Sequence, residues 1–457
     1  VTEIIELSLL RKRLKTTPTQ IIVIGFAILI LLGAFILNLP MASRDGQSVG
    51  FINALFTATS SVCVTGLVVV DTGTHWTVFG QVLIAMLIQI GGLGIMTMST
   101  LLALLIRRRI TLKERLLIQE SLNQFDLEGL VRLTRNIIFA TLAIELIGAI
   151  AFSLVFVPEY GWRKGIAFGV FHSITSFCNA GFDLIGEFRS FTPYVNNFTI
   201  NISTMVLVII GGLGFSVWMD IYHASREKST KQFSMHSKVV IATTAFLILG
   251  GAVFIFIMEF GNPGTLKNLP ASGKVLASFF HSVTPRTAGF NTLDTTAMTM
   301  PTKFMTIILM FIGGSPGSTA GGIKTATAAI LGLTVLAVIR GKEDPEIFER
   351  HLPKYLVYRA LAVVMISLTI VVFVAMVLSI TESADFMTLL FETTSAFGTV
   401  GLTLNYSPQL SLIGKLIISL TMFAGRVGPL SLVVAFAQRA SKNNGNLKYP
   451  EDRIMVG

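Results

Sequence analysis

Four short segments of this chain repeat one another, and that recurrence narrows the folds open to it. They are Phe56-TATSSVCVT-Gly66, Phe171-HSITSFCNA-Gly181, Phe279-FHSVTPRTA-Gly289 and Phe391-ETTSAFGTV-Gly401. Each runs from a Phe to a Gly ten positions later, with Ser and Thr dense between the two. The closing glycines are spaced 115, 108 and 112 residues apart. Ile-Gly-Gly then follows at 90–92, 210–212 and 312–314, and Ala-Gly-Arg at 424–426 takes the fourth place. The first glycine of each triplet lies 24 to 30 residues beyond its loop glycine.

The stretches between these segments are apolar, over 19–40, 78–106, 134–157, 199–222, 237–259, 304–339, 355–380 and 410–438. Hydrophobic residues make up 52% of the 457 and charged residues 13%, where a soluble domain carries roughly 25% charged. Mean hydropathy is +0.73. Spanning a bilayer takes about 20 apolar residues, and backbone groups in lipid must be satisfied within the span. Eight spanning helices are therefore expected. The repeated segments, at about ten to twelve residues, are too short to cross and suit a buried or re-entrant helix. The glycine loop after each puts bare backbone at membrane depth, which is tolerated only inside protein or beside water. One such segment alone reads as a glycine-capped helix. Four in phase, each between two spans, can surround one axis and present a ring of carbonyls that replaces a cation's hydration shell. The fold expected is an all-α polytopic membrane protein with four helix–re-entrant pore helix–helix repeats around one central pore. The repeats run 1–130 (with a basic N-terminal segment), 131–232, 233–350 and 351–457 (with a C-terminal tail).

Net charge is +10, yet its placement argues against nucleic-acid binding. Basic residues gather in Arg11–Lys15, Arg107–Arg115, Arg132 and Arg135, Arg226–Lys238, Arg340–Arg359 and Arg439–Arg453. The loops between these carry fewer. This is the positive-inside pattern, and it expects both termini in the cytoplasm, a multi-pass chain in the cell membrane and an even number of spans. Arg11–Lys15 precedes an apolar run with no A-x-A cleavage site, so 19–40 reads as a retained first helix. Cys63 and Cys178 lack zinc-type spacing and read as packing groups ahead of a disulfide or a metal pair. Asn197 and Asn201 fit the glycosylation pattern but open a span, where a match is accidental.

The loops VTGL at 64–67, NAGF at 179–182, TAGF at 287–290 and TVGL at 399–402 resemble the filters of the Trk/Ktr/HKT superfamily of potassium transporters. TPRTAGFN at 284–291, SAFGTVGLT at 395–403 and YPEDRIMVG at 449–457 resemble its KtrB type of membrane subunit, and the likeness covers essentially the whole chain. The resemblance implies filter carbonyls from Val62, Cys63, Val64, Thr65 and Gly66; from Phe177, Cys178, Asn179, Ala180 and Gly181; from Arg286, Thr287, Ala288 and Gly289; and from Phe397, Gly398, Thr399, Val400 and Gly401. Glycine at 66, 181, 289 and 401 is the superfamily's pattern for potassium. K+ is thus the implied cargo, with sodium dependence left as an alternative and no organic cofactor. The implied partners are a second copy of the chain and a cytoplasmic nucleotide-binding ring. The basic segments 107–115, 226–238 and 340–359 read either as docking surfaces for that ring or as topology signals alone.

Window 304–339 is too long for one straight span, and Gly313, Gly314, Ser315, Pro316, Gly317, Ser318, Thr319, Ala320, Gly321 and Gly322 interrupt it. Such a run breaks a helix. It reads either as a kink or as a flexible loop below the filter, and the resemblance implies the loop, as an intramembrane gate. Lys324 ends it. Arg426 lies in the matching helix of the fourth repeat; an intramembrane arginine is costly and marks function, here an expected contact with the gate. Glu145, mid-span, is read as a satisfied structural pair before an ion-pathway group. Arg286 is expected to be structural, with Glu392 as a candidate partner. The competing readings are an alternating-access transporter, which usually shows inverted repeats, and a membrane-embedded enzyme, for which no catalytic constellation is present.

Overall fold

A computed structural model describes residues 18–94, 97, 130–227, 233–342, 344–348 and 350–428. Arg11–Lys15, Arg107–Arg115, Arg439–Arg453, the far ends of windows 78–106 and 410–438, and the terminal YPEDRIMVG lie outside them. The described helices of more than two turns are α1 (Pro18–Leu37), α2 (Phe51–Cys63), α3 (Val78–Leu93), α4 (Leu130–Tyr160), α5 (Trp162–Phe177), α6 (Phe198–Leu213), α7 (Phe215–Glu227), α8 (Met235–Glu259), α9 (Ala271–Val283), α10 (Met300–Phe311), α11 (Thr325–Ile339), α12 (Lys354–Thr381), α13 (Phe386–Gly398) and α14 (Leu412–Val427). Among the described residues the strands are a short antiparallel hairpin, Glu346–Ile347 with Arg350–His351.

The eight apolar windows are not eight straight helices. Among the described residues, four helices are long and apolar enough to cross a membrane: Thr19–Leu37, Val131–Tyr160, Met235–Glu259 and Lys354–Thr381. Window 199–222 is instead bent by 100° between α6 and α7. The bend falls at Gly214, whose φ of 95° and ψ of 144° are open in practice to glycine alone. Gly94 and Gly428 end α3 and α14 with nearly the same angles. Window 304–339 divides into α10 and α11 on either side of residues 312–324.

Local chemistry sets the shorter helices. Thr77, Asn197 and Ser411 cap α3, α6 and α14, each side chain accepting a backbone N–H three residues on. Asn197 is thereby committed to a cap. In the hydroxyl-rich α2, Thr57, Thr59 and Ser61 donate back to carbonyls four residues earlier, at 2.7–2.9 Å, which satisfies these hydroxyls within the helix.

Each long helix packs on the short helix that follows it: α1 on α2, α4 on α5, α8 on α9, α12 on α13. The next helix in sequence reaches further. Helix α3 packs on α5, α6 on α9, α10 on α13, and α14 returns to α2. The order therefore closes on itself.

Candidate functional site

At the C-terminal ends of α2, α5, α9 and α13 the chain turns through four similar loops. Val64, Asn179, Thr287 and Thr399 hold φ of 59°, 60°, 72° and 50°, and Gly66, Gly181, Gly289 and Gly401, each two residues on, hold 92°, 66°, 80° and 93°. A β-branched residue at positive φ is an outlier that costs about 1–3 kcal/mol. Three of the four loops carry one. Strain repeated at one register marks backbone whose direction matters more than its ease.

The loops meet one another in order. A Cβ placed on Gly66 would stand 2.4 Å from the Ala180 carbonyl oxygen, one on Gly181 2.7 Å from that of Ala288, one on Gly289 2.5 Å from that of Val400, and one on Gly401 2.2 Å from that of Thr65. Each glycine thus faces the carbonyl just before the glycine of the next loop, and the fourth faces the first. Val62, Cys63, Phe177, Cys178 and Phe397 are buried at the helix ends behind this ring. A Cβ on Gly91, Gly211 or Gly425 would press to within 2.0, 2.0 or 1.8 Å of the carbonyl oxygens of Val62, Phe177 and Phe397, so these packing helices require glycine there.

The third loop departs from the others by one residue. Thr65, Ala180 and Val400 donate their N–H to carbonyls five residues back (Ser60, Thr175, Ser395), whereas Ala288 donates to Thr284, four back. The buried phenylalanine matching Phe56, Phe171 and Phe391 is accordingly Phe280, while Phe279 is only partly buried. The ten-residue spacing expected from Phe279 therefore gives way to nine.

The candidate Arg286–Glu392 pair is not formed: each side chain is satisfied elsewhere. Arg286 is buried and donates to the carbonyl and hydroxyl of Thr244 on α8, at 3.2 and 3.3 Å. Glu392 accepts from the Thr403 hydroxyl, from the Leu404 N–H at 3.0 Å and from the Ser407 hydroxyl at 2.6 Å. Its counterparts are His172, which accepts from Leu184 N–H at 3.2 Å, and His281, which accepts from Leu293 N–H at 3.0 Å. All three fasten the backbone twelve residues ahead, pinning the outgoing limb of the loop. These staples went unread in the sequence; the signal was a polar residue directly after each buried phenylalanine (Thr57, His172, His281, Glu392).

Residues 312–324 run beneath the ring. Gly313 N–H donates to the Ile323 carbonyl at 2.9 Å, closing the segment's two ends together. Ser315 N–H donates to Gly212, Thr319 N–H to Gly211, and Phe215 N–H to the Gly317 carbonyl, at 2.9, 3.2 and 2.8 Å, so the segment lies on the α6–α7 bend. The Thr319 hydroxyl reaches the Gly211 and Phe177 carbonyls at 3.0 and 3.3 Å. A Cβ on Gly321 would stand 2.1 Å from the Thr399 hydroxyl oxygen, which sets the segment against the fourth loop. Ser318 donates to the Ser315 carbonyl and accepts from Ala320 N–H, and Lys324 Nζ donates to the Ala320 carbonyl at 2.7 Å. Gly314 accepts from Thr325 N–H, and the Pro316 carbonyl and Gly322 pack against Gly214 and Gly313. Arg426 reaches in from α14: Nη1 donates to the Thr319 carbonyl and Nη2 to those of Gly91 and Gly92. Its charge is met by three carbonyls, and among the described residues no carboxylate pairs with it.

Cys63 and Cys178 are both buried free thiols. Glu145 meets an amide where a cation was the natural expectation: Gln89 Nε2 donates to its two oxygens at 3.0 and 3.2 Å.

The profile of the TrkH family, described as a cation transport protein, matches residues 11–446. The chain belongs to this family. It is 44% identical to the potassium/sodium uptake protein NtpJ of Enterococcus hirae, over 98% of this chain and 99% of that one. It is 44% identical to the Ktr system potassium uptake protein B of Bacillus subtilis over 98% of each, and 39% identical to that of Vibrio alginolyticus over 98% and 96%. The crystal structure of the potassium transporter TrkH from Vibrio parahaemolyticus has the same fold, with a TM-score of 0.74 at 17% identity over 93% of this chain and 86% of that one. With its several long apolar helices, this member of a transporter family is a multi-pass membrane protein.

Proposed function

We propose that the chain is the ion-translocating subunit of a potassium uptake system. In this reading α2, α5, α9 and α13 are re-entrant pore helices of four repeats. Their loops form one selectivity filter, and residues 313–322 with Lys324 and Arg426 gate it. The observation that carries the reading is the closed ring, in which each loop glycine faces the next loop's carbonyl and the fourth returns to the first. A ring of backbone oxygens is what replaces the hydration shell of a cation. Lys324 and Arg426 put positive charge directly below it, which opposes a cation unless the segment moves. The names of the relatives favour potassium, and that of the Enterococcus hirae relative keeps sodium beside it.

The route is channel-like and runs down the electrochemical gradient, with cytoplasmic termini. The test is rubidium uptake into cells deficient in potassium transport. A potential of 100 mV supplies about 2.3 kcal/mol per charge, or roughly fiftyfold accumulation. Uptake is expected to follow the potential and to collapse with it. A strict requirement for a second ion gradient would favour alternating access instead. A second copy of the chain and a cytoplasmic nucleotide-binding ring belong to the same proposal, with the basic segments as docking surface. Ring capture that survives neutralising those segments would remove that role.

Asp183 adds an outer determinant. It lies two residues beyond Gly181, where the other loops have Val68, Asn291 and Thr403. Outside the helices, in the loop before α6, desolvation and then the neighbouring Asp71 push its carboxyl up to about 7. An acid with a raised pKa is neutral below that value and charged above it, so cation attraction at this mouth is gained as pH rises through about 7. The KM for rubidium is expected to fall by about threefold between pH 6 and pH 8. Asp183→Asn is expected to keep the high KM throughout with little change in maximal rate. An unchanged pH profile in that variant would dismiss the role.

A further inference from the structure

Glu145 sits near the middle of α4 and is 6% exposed. The mechanism above leaves it without a task. A buried carboxyl in a membrane span is costly and is normally met by a cation or by several donors. Among the described residues a single neutral amide meets it, from a helix of the neighbouring repeat. Because both carboxyl oxygens accept from Gln89 Nε2, the amide is fixed with its NH2 toward Glu145 and its carbonyl away from it. That carbonyl, Oε1, accepts from the Cys178 thiol at 3.6 Å.

Cys178 is held from a second side. A Cβ on Gly92, one turn beyond Gln89 on α3, would stand 2.8 Å from Cys178 Sγ, so the thiol is wedged against the helix. Ser173 on α5 also donates to the Glu145 main-chain carbonyl at 2.6 Å, tying α4 to the helix that leads into Cys178. The arrangement is peculiar to one loop. Where α3 has Gln89, just before its glycine pair, α6, α10 and α14 have Ile209, Phe311 and Phe423. At the fourth loop Phe311 meets Phe397 by ring contact, with centroids 6.3 Å apart. Apolar packing is thus replaced at the second loop by a directed chain of hydrogen bonds.

We propose that Glu145 is a positioning residue for ion selection: through Gln89 it holds the Cys178 thiol, and with it the stretch Cys178–Gly181, against α3. This rests on reading the four loops as the filter. Without the carboxyl the Gln89 amide is free to turn, its buried N–H groups lose their acceptor, and the stretch Cys178–Gly181 loses the side-chain tether that reaches Cys178 from the first repeat.

The test compares sodium and rubidium uptake in cells deficient in potassium transport, at matched membrane levels of each variant. Glu145→Ala and Gln89→Glu, which sets acceptor against acceptor, are each expected to raise the sodium-to-rubidium ratio about threefold to tenfold, the effect of one lost buried hydrogen bond. Glu145→Gln, which can still accept from Gln89, is expected to restore the ratio to within about twofold. The Glu145→Ala and Cys178→Ala effects are expected to be non-additive, because they act in one chain. Gly181→Ser is the control for the filter itself. If Gly181→Ser shifts the ratio and neither Glu145→Ala nor Gln89→Glu does, the positioning role is overturned and the filter stands. If none of them shifts it, the filter reading falls and this inference with it. A shift in Glu145→Ala that Glu145→Gln fails to rescue also overturns the hydrogen-bond chain. Should Glu145→Ala fail to reach the membrane, the Gln89→Glu and Cys178→Ala pair carries the same comparison.

Discussion

Deleting Gly314–Gly321 is expected to raise rubidium uptake by roughly tenfold, the change produced by removing about 1.4 kcal/mol of closure. The geometry makes the deletion clean. Gly313 and Gly322 already touch, since a Cβ on Gly313 would stand 3.3 Å from Gly322 Cα. Gly313 N–H also bonds the Ile323 carbonyl at 2.9 Å. Excising the eight residues between them is therefore expected to keep α10 and α11 in place, at the loss of the Gly314 and Ser315 contacts with Thr325. What goes is the block beneath the ring, with the Thr319 carbonyl that engages Arg426 and the Ala320 carbonyl that engages Lys324. Uptake that is unchanged or lower in a deletion variant present at normal levels would argue that the segment braces the fold and does not gate it.

The second large effect concerns the ring glycines. A side chain at Gly66, Gly181, Gly289 or Gly401 meets two independent obstacles. Each glycine has a φ between 66° and 93°, which costs an L-residue about 1–2 kcal/mol. Each added Cβ would also come within 2.2–2.7 Å of a carbonyl oxygen of the next loop. The neighbouring carbonyl must move, and because the contacts run in a circle a displacement at one loop widens the ring that all four define. A wider ring of oxygens discriminates less between cations of different size. Serine at any of the four is expected to raise the sodium-to-rubidium uptake ratio by about tenfold or more, a loss of roughly 1.4 kcal/mol of discrimination.

Much of this was legible in the sequence because glycine at a fixed phase reports a backbone requirement, and backbone requirements survive where side chains diverge. The loop glycines and the run at 313–322 are legible that way, and Arg426 by the cost of a charge in the membrane. The contact of Arg426 with this run is expected from the resemblance, but the acceptor atoms are not, because Arg426, Lys324 and the 312–324 segment bind main-chain carbonyls, which leave no mark on residue identity. The register of the third loop was hidden by a coincidence: Phe279 and Phe280 are adjacent, the count of ten fits the first, and only burial picks out the second. Offering Glu392 as a partner for Arg286 follows from the habit of pairing buried charges. Hydropathy reads windows 199–222 and 304–339 as single spans where, among the described residues, the one is bent and the other divided, since apolar windows do not register a turn. The mark was nonetheless present, as the Gly-Gly-x-Gly of 91–94 and 211–214 and the Gly-Arg-Val-Gly of 425–428.

The closed ring as the seat of selection is most directly tested by measuring sodium and rubidium uptake side by side for Gly66→Ser, Gly181→Ser, Gly289→Ser and Gly401→Ser in cells deficient in potassium transport. Gly46→Ser serves as the control, because Gly46 also has a positive φ of 65° but nothing lies within 4 Å of its added Cβ. The predicted result is a raised sodium-to-rubidium ratio in all four ring variants and a wild-type ratio in Gly46→Ser. A wild-type ratio in any ring variant that reaches the membrane at normal levels would contradict the account.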